Sequence, residues 1–475
     1  MRKTKIICTI GPVSDSEDVL KALMIGGMNV ARLNFSHGNH EDHLIKINRI
    51  KRLREELGLH VAILLDTKGP EIRTGRFKNE TANLVEGQTF ILTTEEIVGD
   101  EKGCSVSFKN LSKNLAPKDR IMLDDGLIRM CVDSIEGGNI HCTVENCGII
   151  SGNKSINIPE VKIDLPALTP QDMEDIILGI ENGVDYIAAS FIRKAEDILS
   201  IRRLLDDNGG EDIRLISKIE NREGLENIDE IIENSDGIMV ARGDLGVEIP
   251  TQEVPIAQKE IIRKCNDYGV VVVTATQMLD SMIRNPRPTR AEVADVANAI
   301  FDGTDGIMLS GETASGEYPI ESLAMMDSIA RTVESSIDYH QMQMQRSEIR
   351  DRGITNAIGH ATCTAAQGLG VKAILTPTTS GHTAFAVARF RPEAPILSGS
   401  SDEKTVRRLA LCWGAHPMKM DLVDKDDDVF RSIVSTAQKT GILKDGDRVI
   451  ITAGFPVGIK GNTNSMRIHV IGQEL

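Results

Sequence analysis

Lys218 and Glu220 stand two residues apart in the run SKIENREG (217–224), and Asp244 follows in MVARGDLGVEIP (239–250). Two carboxylates around a lysine suit a divalent cation beside an anionic substrate, with the ammonium neutralising charge that moves. Further polar residues stand at the ends of short apolar runs. Arg32, Asn34 and Ser36 end MNVARLN (28–34), Asp66 and Thr67 end VAILLD (61–66), Thr276 ends VVVTAT (271–276), and Arg242 and Glu312 follow GIMVA (237–241) and GIMLS (306–310). Any one of these acidic residues reads equally well as the cap of the next helix. Only their convergence on one place would favour chemistry, and that depends on the elements carrying them.

Those elements alternate. KIICTI (5–10) reads as a strand, then 16–27 as a helix; 28–34 is a strand, about 40–57 an amphipathic helix, and 61–66 a third strand. The alternation stops for about a hundred residues and resumes at Thr169-Pro170, an N-cap and first helical position. That helix is expected to place Met173, Ile176, Ile177 and Ile180 on one face and to end at Gly183. YIAAS (186–190), RLISKI (214–219), GIMVA, VVVTAT and GIMLS each precede a helical pattern, the last over about 320–336. Three strands and five more predict an α/β fold built on a closed (β/α)8 TIM barrel, whose active face is the C-terminal end of its strands.

The interruption carries β-type runs, QTFILTT (88–94), RIMLDD (120–125) and NIHCTVEN (139–146), with turn signals between them. It predicts an inserted, mostly β lid domain. After a polar connector, QMQMQRSEIRDRG (341–353), a smaller α/β pattern has strands at AILTP, PILSGS, HPMKM, RVIITAG and MRIHVIG. The expected division is 1–69 with 169–340 as catalytic barrel, 70–168 as lid, and 350–475 as a C-terminal α/β regulatory and oligomerisation domain.

Composition agrees. A chain of 475 residues needs more than one core, and with only 3% aromatic residues those cores must be aliphatic. No stretch approaches the roughly 20 apolar residues of a membrane span, and the apolar part of MRKTKIICTIG is too short for a signal peptide. The eight scattered cysteines, without CxxC spacing, read as reduced and mostly buried thiols of a cytoplasmic protein. A net charge of −16 argues against nucleic acid or an anionic membrane as partner. It also demands that any phosphorylated substrate meet local cations. There is no GK dipeptide for a P-loop, and no HRD or DFG run of the protein-kinase layout. The spacing of His37, His40 and His43 at the start of a charged helix reads as a solvated polar face rather than a metal site.

The runs ARLNFSHG (31–38), LLDTKGPEIRTG (64–75), SKIENREG, MVARGDLGVEIP and NPRPTRAEVADVANA (285–299) resemble the pyruvate kinase family, and the similarity extends over essentially the whole chain. The resemblance implies phosphoryl transfer from phosphoenolpyruvate to ADP, giving pyruvate and ATP. It implies Glu220 and Asp244 as ligands of Mg2+ (or Mn2+), and Lys218 as the group that stabilises the phosphoryl in transit. Arg32, Lys218, Gly243, Asp244 and Thr276 would contact phosphoenolpyruvate, with Arg32, Lys218 and Thr276 catalytic and Thr276 on the proton route to the enolate carbon. Asn34, His37, Arg73 and Lys154 match nucleotide contacts, and Asn34, Ser36, Asp66 and Thr67 match a K+ site. Glu71 stands where potassium-requiring relatives carry glutamate and potassium-independent ones lysine. Ser155 replaces a glycine common in relatives. The loop TPTTSGHT (376–383), through Thr378, Thr379, Ser380, Gly381, His382 and Thr383, resembles the family's effector-phosphate loop, without the lysine or arginine of some sugar-bisphosphate-regulated relatives. The resemblance further implies a phosphorylated allosteric effector, a homotetramer, and no additional swivelling domain of the kind some bacterial relatives carry. Two other readings share parts of this pattern. A barrel lyase or aldolase acting through a magnesium-bound enolate would share Glu220 and Asp244 but has no need of a nucleotide lid. A catalytically silent phosphometabolite sensor would usually have lost Lys218 or a carboxylate.

Overall fold

The computed structural model describes residues 1–345, 353–423, 426–456, 459 and 461–474. Eight parallel strands, Lys5–Thr9, Val30–Asn34, Ala62–Asp66, Tyr186–Ala189, Arg214–Ile219, Gly237–Ala241, Val271–Ala275 and Gly306–Leu309, close into a barrel. They are called strands one to eight below. Strand one closes the ring against strand eight, with Lys5 opposite Gly306. Their side chains are buried almost throughout, as a strand covered on both faces requires. Ile7, Val30, Leu64, Ile216, Met239, Val273 and Met308 fill the interior, and Ala410 and Leu411 of the C-terminal region pack into the same cluster.

Local chemistry sets the helix starts. Asn39 and Thr169 each accept from the backbone N–H three residues on, where an aspartate reaches back, so both form capping boxes. The helix after Thr169, Pro170–Glu181, turns differently from its apolar pattern. It buries Asp172, Asp175, Ile176 and Gly179, while Met173 is exposed. Asp172 is drawn in because its carboxylate accepts from Gly69 N at 2.9 Å as well as capping the helix. The expectation for His43 is also corrected. It is buried, stacked on Phe35 with ring centroids 3.8 Å apart, and held by the His37 carbonyl, while His40 pairs with Asp175 at 2.6 Å. Those rings fasten the second helix to the barrel.

Between strands three and four the chain builds two separate sheets. The six-stranded one runs Ile156–Asn157, Arg120–Leu123, Ile128–Glu136, Asn139–Val144, Thr89–Thr93, Gly103–Ser105, and a second pairs Gly148–Ser151 with Thr81–Leu84. They share a core of their own around Phe90, Leu92, Ile121, Met130 and Ile140. Cys147, unlike most of the cysteines, is exposed, in the connection between two strands. Of the expected connector, Tyr339–Gln345 is helical and residues 346–352 lie outside the described residues.

The C-terminal sheet has the order Ala415–Lys419, Ile396–Ser400, Ala373–Pro377, Arg448–Ala453, Ser465–Val470, the last strand antiparallel. It is bolted to the closed end of the barrel by ion pairs. Arg391 donates to Asp305 at 2.6 Å, and Arg407 to Asp185 at 2.8 Å. Among the described residues, no helix is long and apolar enough to cross a membrane.

Candidate active site

Barrel closure does what the sequence could only propose. Strands three and five carry Asp66 and Lys218 to the same mouth, although 152 positions separate them in the chain. Lys218 Nζ lies 2.8 Å from Glu220 Oε1, 3.2 Å from Asp66 Oδ1 and 2.8 Å from Ser190 Oγ. Arg32 Nε donates to Asp66 Oδ2 at 2.5 Å, and a second guanidinium nitrogen donates to Thr9 Oγ1 at 2.9 Å. Asp66 and Glu220 are nearly fully buried, Arg32 and Lys218 only slightly less so.

In so dry a cluster the charges settle one another's protonation. Burial works against the Lys218 charge, but Asp66, Glu220 and Asp244 outweigh it and hold the ammonium more firmly protonated than a free lysine. Burial likewise opposes the Asp66 charge, yet Arg32 and Lys218 bring that carboxyl below its usual range. Glu220 goes the other way. Burial and the nearby Asp244 push its carboxyl up in spite of Lys218, because one ammonium is shared among three carboxylates and Arg32 serves only Asp66. The cluster is short of one positive charge. Asp66 Oδ1, buried without a well-aligned hydrogen bond, is a second sign of that deficit.

A cavity of about 300 Å3 opens above this cluster. Arg32, Asn34, Ser36, His37, Arg73, Lys154, Lys218, Glu220 and Asp244 line it, so strands two, five and six and the region inserted after strand three face one space. Asp66 and Thr67 lie beneath, buried. Gly243 and Thr276 meet beside it, Gly243 N donating to Thr276 Oγ1 at 2.8 Å and that hydroxyl donating to Ala275 O at 2.7 Å. Thr276 and Gln277 both have positive φ, 68° and 54°. This sharp turn after strand seven holds the hydroxyl against the Gly243 backbone. In the inserted region, Arg73 pairs with Glu71 at 2.5 Å and donates to Asn153 O, while Lys154 pairs with Asp124 at 2.8 Å.

Two strand-end residues belong elsewhere. Glu312 accepts from Ser310 N and Leu279 N and is buried away from the cavity, so here the capping role holds. Arg242 turns back to Asp295, Ala275 O and Thr276 O, bracing the turn after strand seven. Lys68, Asp124, Asp125, Ser155, Ser190 and Phe191 line the cavity without being singled out by sequence as binding groups. Asp124 and Asp125 showed only as a turn signal. Ser190 ends the run YIAAS, a place where any strand-end hydroxyl merited attention. Phe191 contributes its backbone, N–H to Glu220 Oε2 at 2.5 Å, from a φ of 55°.

The effector-loop residues stand apart, in the C-terminal region. Thr378, Thr379, Ser380, His382 and Thr383 line a second cavity with Ser401, Asp421, Gly454 and Asn462; among the described residues no lysine or arginine lines it. Gly381 N donates to Thr378 Oγ1 at 3.0 Å, which closes the loop.

Fixed cations at the open end of a barrel, under a second domain, define the class: a (β/α)8 enzyme made for an anionic substrate. A family model described as "Pyruvate kinase, barrel domain" matches residues 1–323, and one described as "Pyruvate kinase, alpha/beta domain" matches residues 356–469. The chain is 50% identical over 472 residues to a pyruvate kinase of Clostridium acetobutylicum, covering 99% of this chain and 100% of the relative. It is 52% identical over 477 residues to one of Sporosarcina psychrophila, covering 100% of this chain and 81% of the relative. The crystal structure of a pyruvate kinase from Cryptosporidium parvum matches with a TM-score of 0.94 at 37% identity, covering 99% of this chain and 96% of that one. The chain belongs to the pyruvate kinase family, and its activity is the family's phosphotransfer from phosphoenolpyruvate to ADP. Neither the lyase nor the silent sensor is favoured.

Proposed function

We propose that the work of this phosphotransfer is divided among the residues gathered at the barrel mouth. The single observation that carries the division is the Lys218 ammonium, buried and in contact with Glu220, Asp66 and Ser190 beneath the cavity. Phosphoryl transfer passes through a loose arrangement with charge spread over the equatorial oxygens, so a fixed cation there lowers the barrier most. Lys218 has that role. Arg32, held by Asp66 and Thr9, binds the phosphate of phosphoenolpyruvate with the Gly243–Thr276 turn, and Thr276 stands on the route of the proton to the enolate carbon. Arg73, Lys154, Asn34 and His37 receive the nucleotide, and the inserted sheets, residues 70–168, act as a lid that keeps water from the phosphoryl group.

The residues present fit two cations. Glu220 and Asp244 would hold Mg2+ or Mn2+, since Glu220 lacks its full share of positive charge; with two protein carboxylates, the remaining positions would fall to substrate and water. Asn34, Ser36, Asp66 and Thr67 are an all-oxygen set suited to K+, and Asp66 Oδ1 among them lacks a well-aligned hydrogen bond. When bound, these ions supply charge neutralisation to an anionic substrate.

The second cavity takes the phosphate of an allosteric effector through hydroxyls and backbone N–H groups. The enzyme works in the cytoplasm as a homotetramer. Pyruvate formation from phosphoenolpyruvate, measured with and without ADP, tests the activity: formation only with ADP is expected, and ADP-independent turnover would point to another reaction. A phosphate ester that leaves the phosphoenolpyruvate saturation curve unmoved would count against the effector site, and sedimentation tests the assembly.

A further inference from the structure

The end of strand four has no role in the division just described, yet it lies between strands three and five in the barrel. Ala188 pairs with Asp66 on one side, and Ala189 with Ser217 on the other. The next residue, Ser190, therefore falls between Thr67 and Lys218. Its contacts follow from that place. Ser190 Oγ donates to Thr67 O at 2.6 Å and accepts from Lys218 Nζ at 2.8 Å, while Ser190 N donates to Thr67 Oγ1 at 3.1 Å. The residue is 3% exposed. Gly69 closes over it with a φ of +74°; a Cβ there would come within 2.8 Å of Ser190 Cβ, so only glycine lets the loop after strand three pack this closely.

We propose that Ser190 is a positioning residue for Lys218, the only uncharged side chain among the three that surround the ammonium. A lysine ammonium has three protons to place. Glu220 and Asp66 pull it toward the floor of the cluster, and Ser190, itself pinned by Thr67, sets the third direction. Without the hydroxyl the ammonium collapses onto the two carboxylates and meets the phosphoryl in transit less well. Binding of phosphoenolpyruvate, which Arg32 also supports, changes less. Replacing serine at this position thus lowers kcat rather than raising KM, which a purely structural role would not do.

The inference rests on the role proposed above for Lys218, and the experiment separates the two. Ser190→Ala is expected to lower kcat about 10- to 100-fold, the range for a hydrogen bond to a charged group, with KM for phosphoenolpyruvate within about threefold. Ser190→Cys, of similar shape but a weak hydrogen-bonding group, falls between it and the wild type, and replaces it as the test variant if Ser190→Ala does not fold. The Ser190→Ala/Lys218→Met double variant is no slower than Lys218→Met alone, since the hydroxyl acts only through the ammonium. A kcat within about twofold of wild type, a raised KM with unchanged kcat, or a full additional loss in the double variant would each overturn the proposal. If Lys218→Met itself keeps its turnover, the role of Lys218 has failed instead.

Discussion

Replacing Lys218 with methionine removes the charge and keeps the length of the side chain. Its ammonium reaches anionic oxygens at 2.8 and 3.2 Å from a buried position, so bulk water does not set its dielectric surroundings. A unit charge about 4 Å from another contributes about 4 kcal/mol at an effective dielectric of 20. Phosphoenolpyruvate is already anionic in the ground state, so part of that attraction acts on binding, where Arg32 and the proposed cations would share it. The part that matters for rate is the charge exposed on the phosphoryl between donor and acceptor. Removing one preorganised donor of this kind costs about 2.7–4 kcal/mol, and a full charge stands at the upper end, about a thousandfold in kcat. The fold should survive, although an unpaired buried carboxylate would cost about 3–5 kcal/mol. Burial already raises the Glu220 carboxyl's hold on a proton, so in the variant it takes one up and no bare charge remains. The assay is steady-state pyruvate formation with direct measurement of phosphoenolpyruvate binding. A variant that binds weakly yet turns over at close to the normal rate would refute the reasoning, because Lys218 would then be a binding residue.

Three further outcomes follow from the structure. Gly152 packs against Gly75 and Arg76, so joining residue 75 to 152 is sterically short; the product should retain barrel circular dichroism and lose ATP formation, and normal kinase activity would sink the lid assignment. Glu71→Lys should make the rate largely independent of K+ but slower, measured at constant ionic strength with a tetraalkylammonium salt, whereas a wild-type rate flat down to trace K+ would remove the cation site. His416 is depressed to about 3, by burial and then by Lys5, with an unpartnered ring nitrogen. The unfolded chain binds that proton first, so this contribution to stability is complete above the ordinary histidine value and falls by about 1.4 kcal/mol per pH unit below it. His416→Gln should flatten the decline of the thermal midpoint from pH 6.5 to 5, and an unchanged slope would acquit the histidine.

Barrel strands were legible because each is a short apolar run followed by a helical period; strands five and six, 214–219 and 237–241, stand where those runs stand. The lid was harder. Its longest strand, Ile128–Glu136, alternates buried Ile128, Met130 and Val132 with exposed and polar residues, and a register shift near Val132 and Ser134 breaks the period. Met173 misled for a related reason, since capping by Asp172 and the buried Asp175 rotate the helix against its hydrophobic stripe. At the site, charged residues stood out and a lone serine did not. Ser190 acquires meaning only when the barrel order puts strand four between Asp66 and Lys218.

The net charge of −16 poses the remaining problem, for the mouth must attract anions on an acidic protein. The structure shows that four of its cations are not left bare: Arg32 pairs with Asp66, Lys218 with Glu220, Arg73 with Glu71, and Lys154 with Asp124, while Lys68 lines the cavity without an ion pair among the described residues. At those four an incoming phosphate exchanges places with a carboxylate rather than meeting a free charge. Such an exchange is closer to neutral for the half-buried pairs of the inserted sheets, which water still reaches, since an ion pair open to water contributes at most about 1 kcal/mol. At the buried floor it cannot be neutral, because a displaced Glu220 or Asp66 has no water to retreat into. Those two carboxylates must keep a positive partner throughout the reaction. Arg32 and Lys218 cannot serve them and the phosphoryl group together, and this shortfall, more than any pattern of ligands, is the physical argument for the added cations proposed at this site.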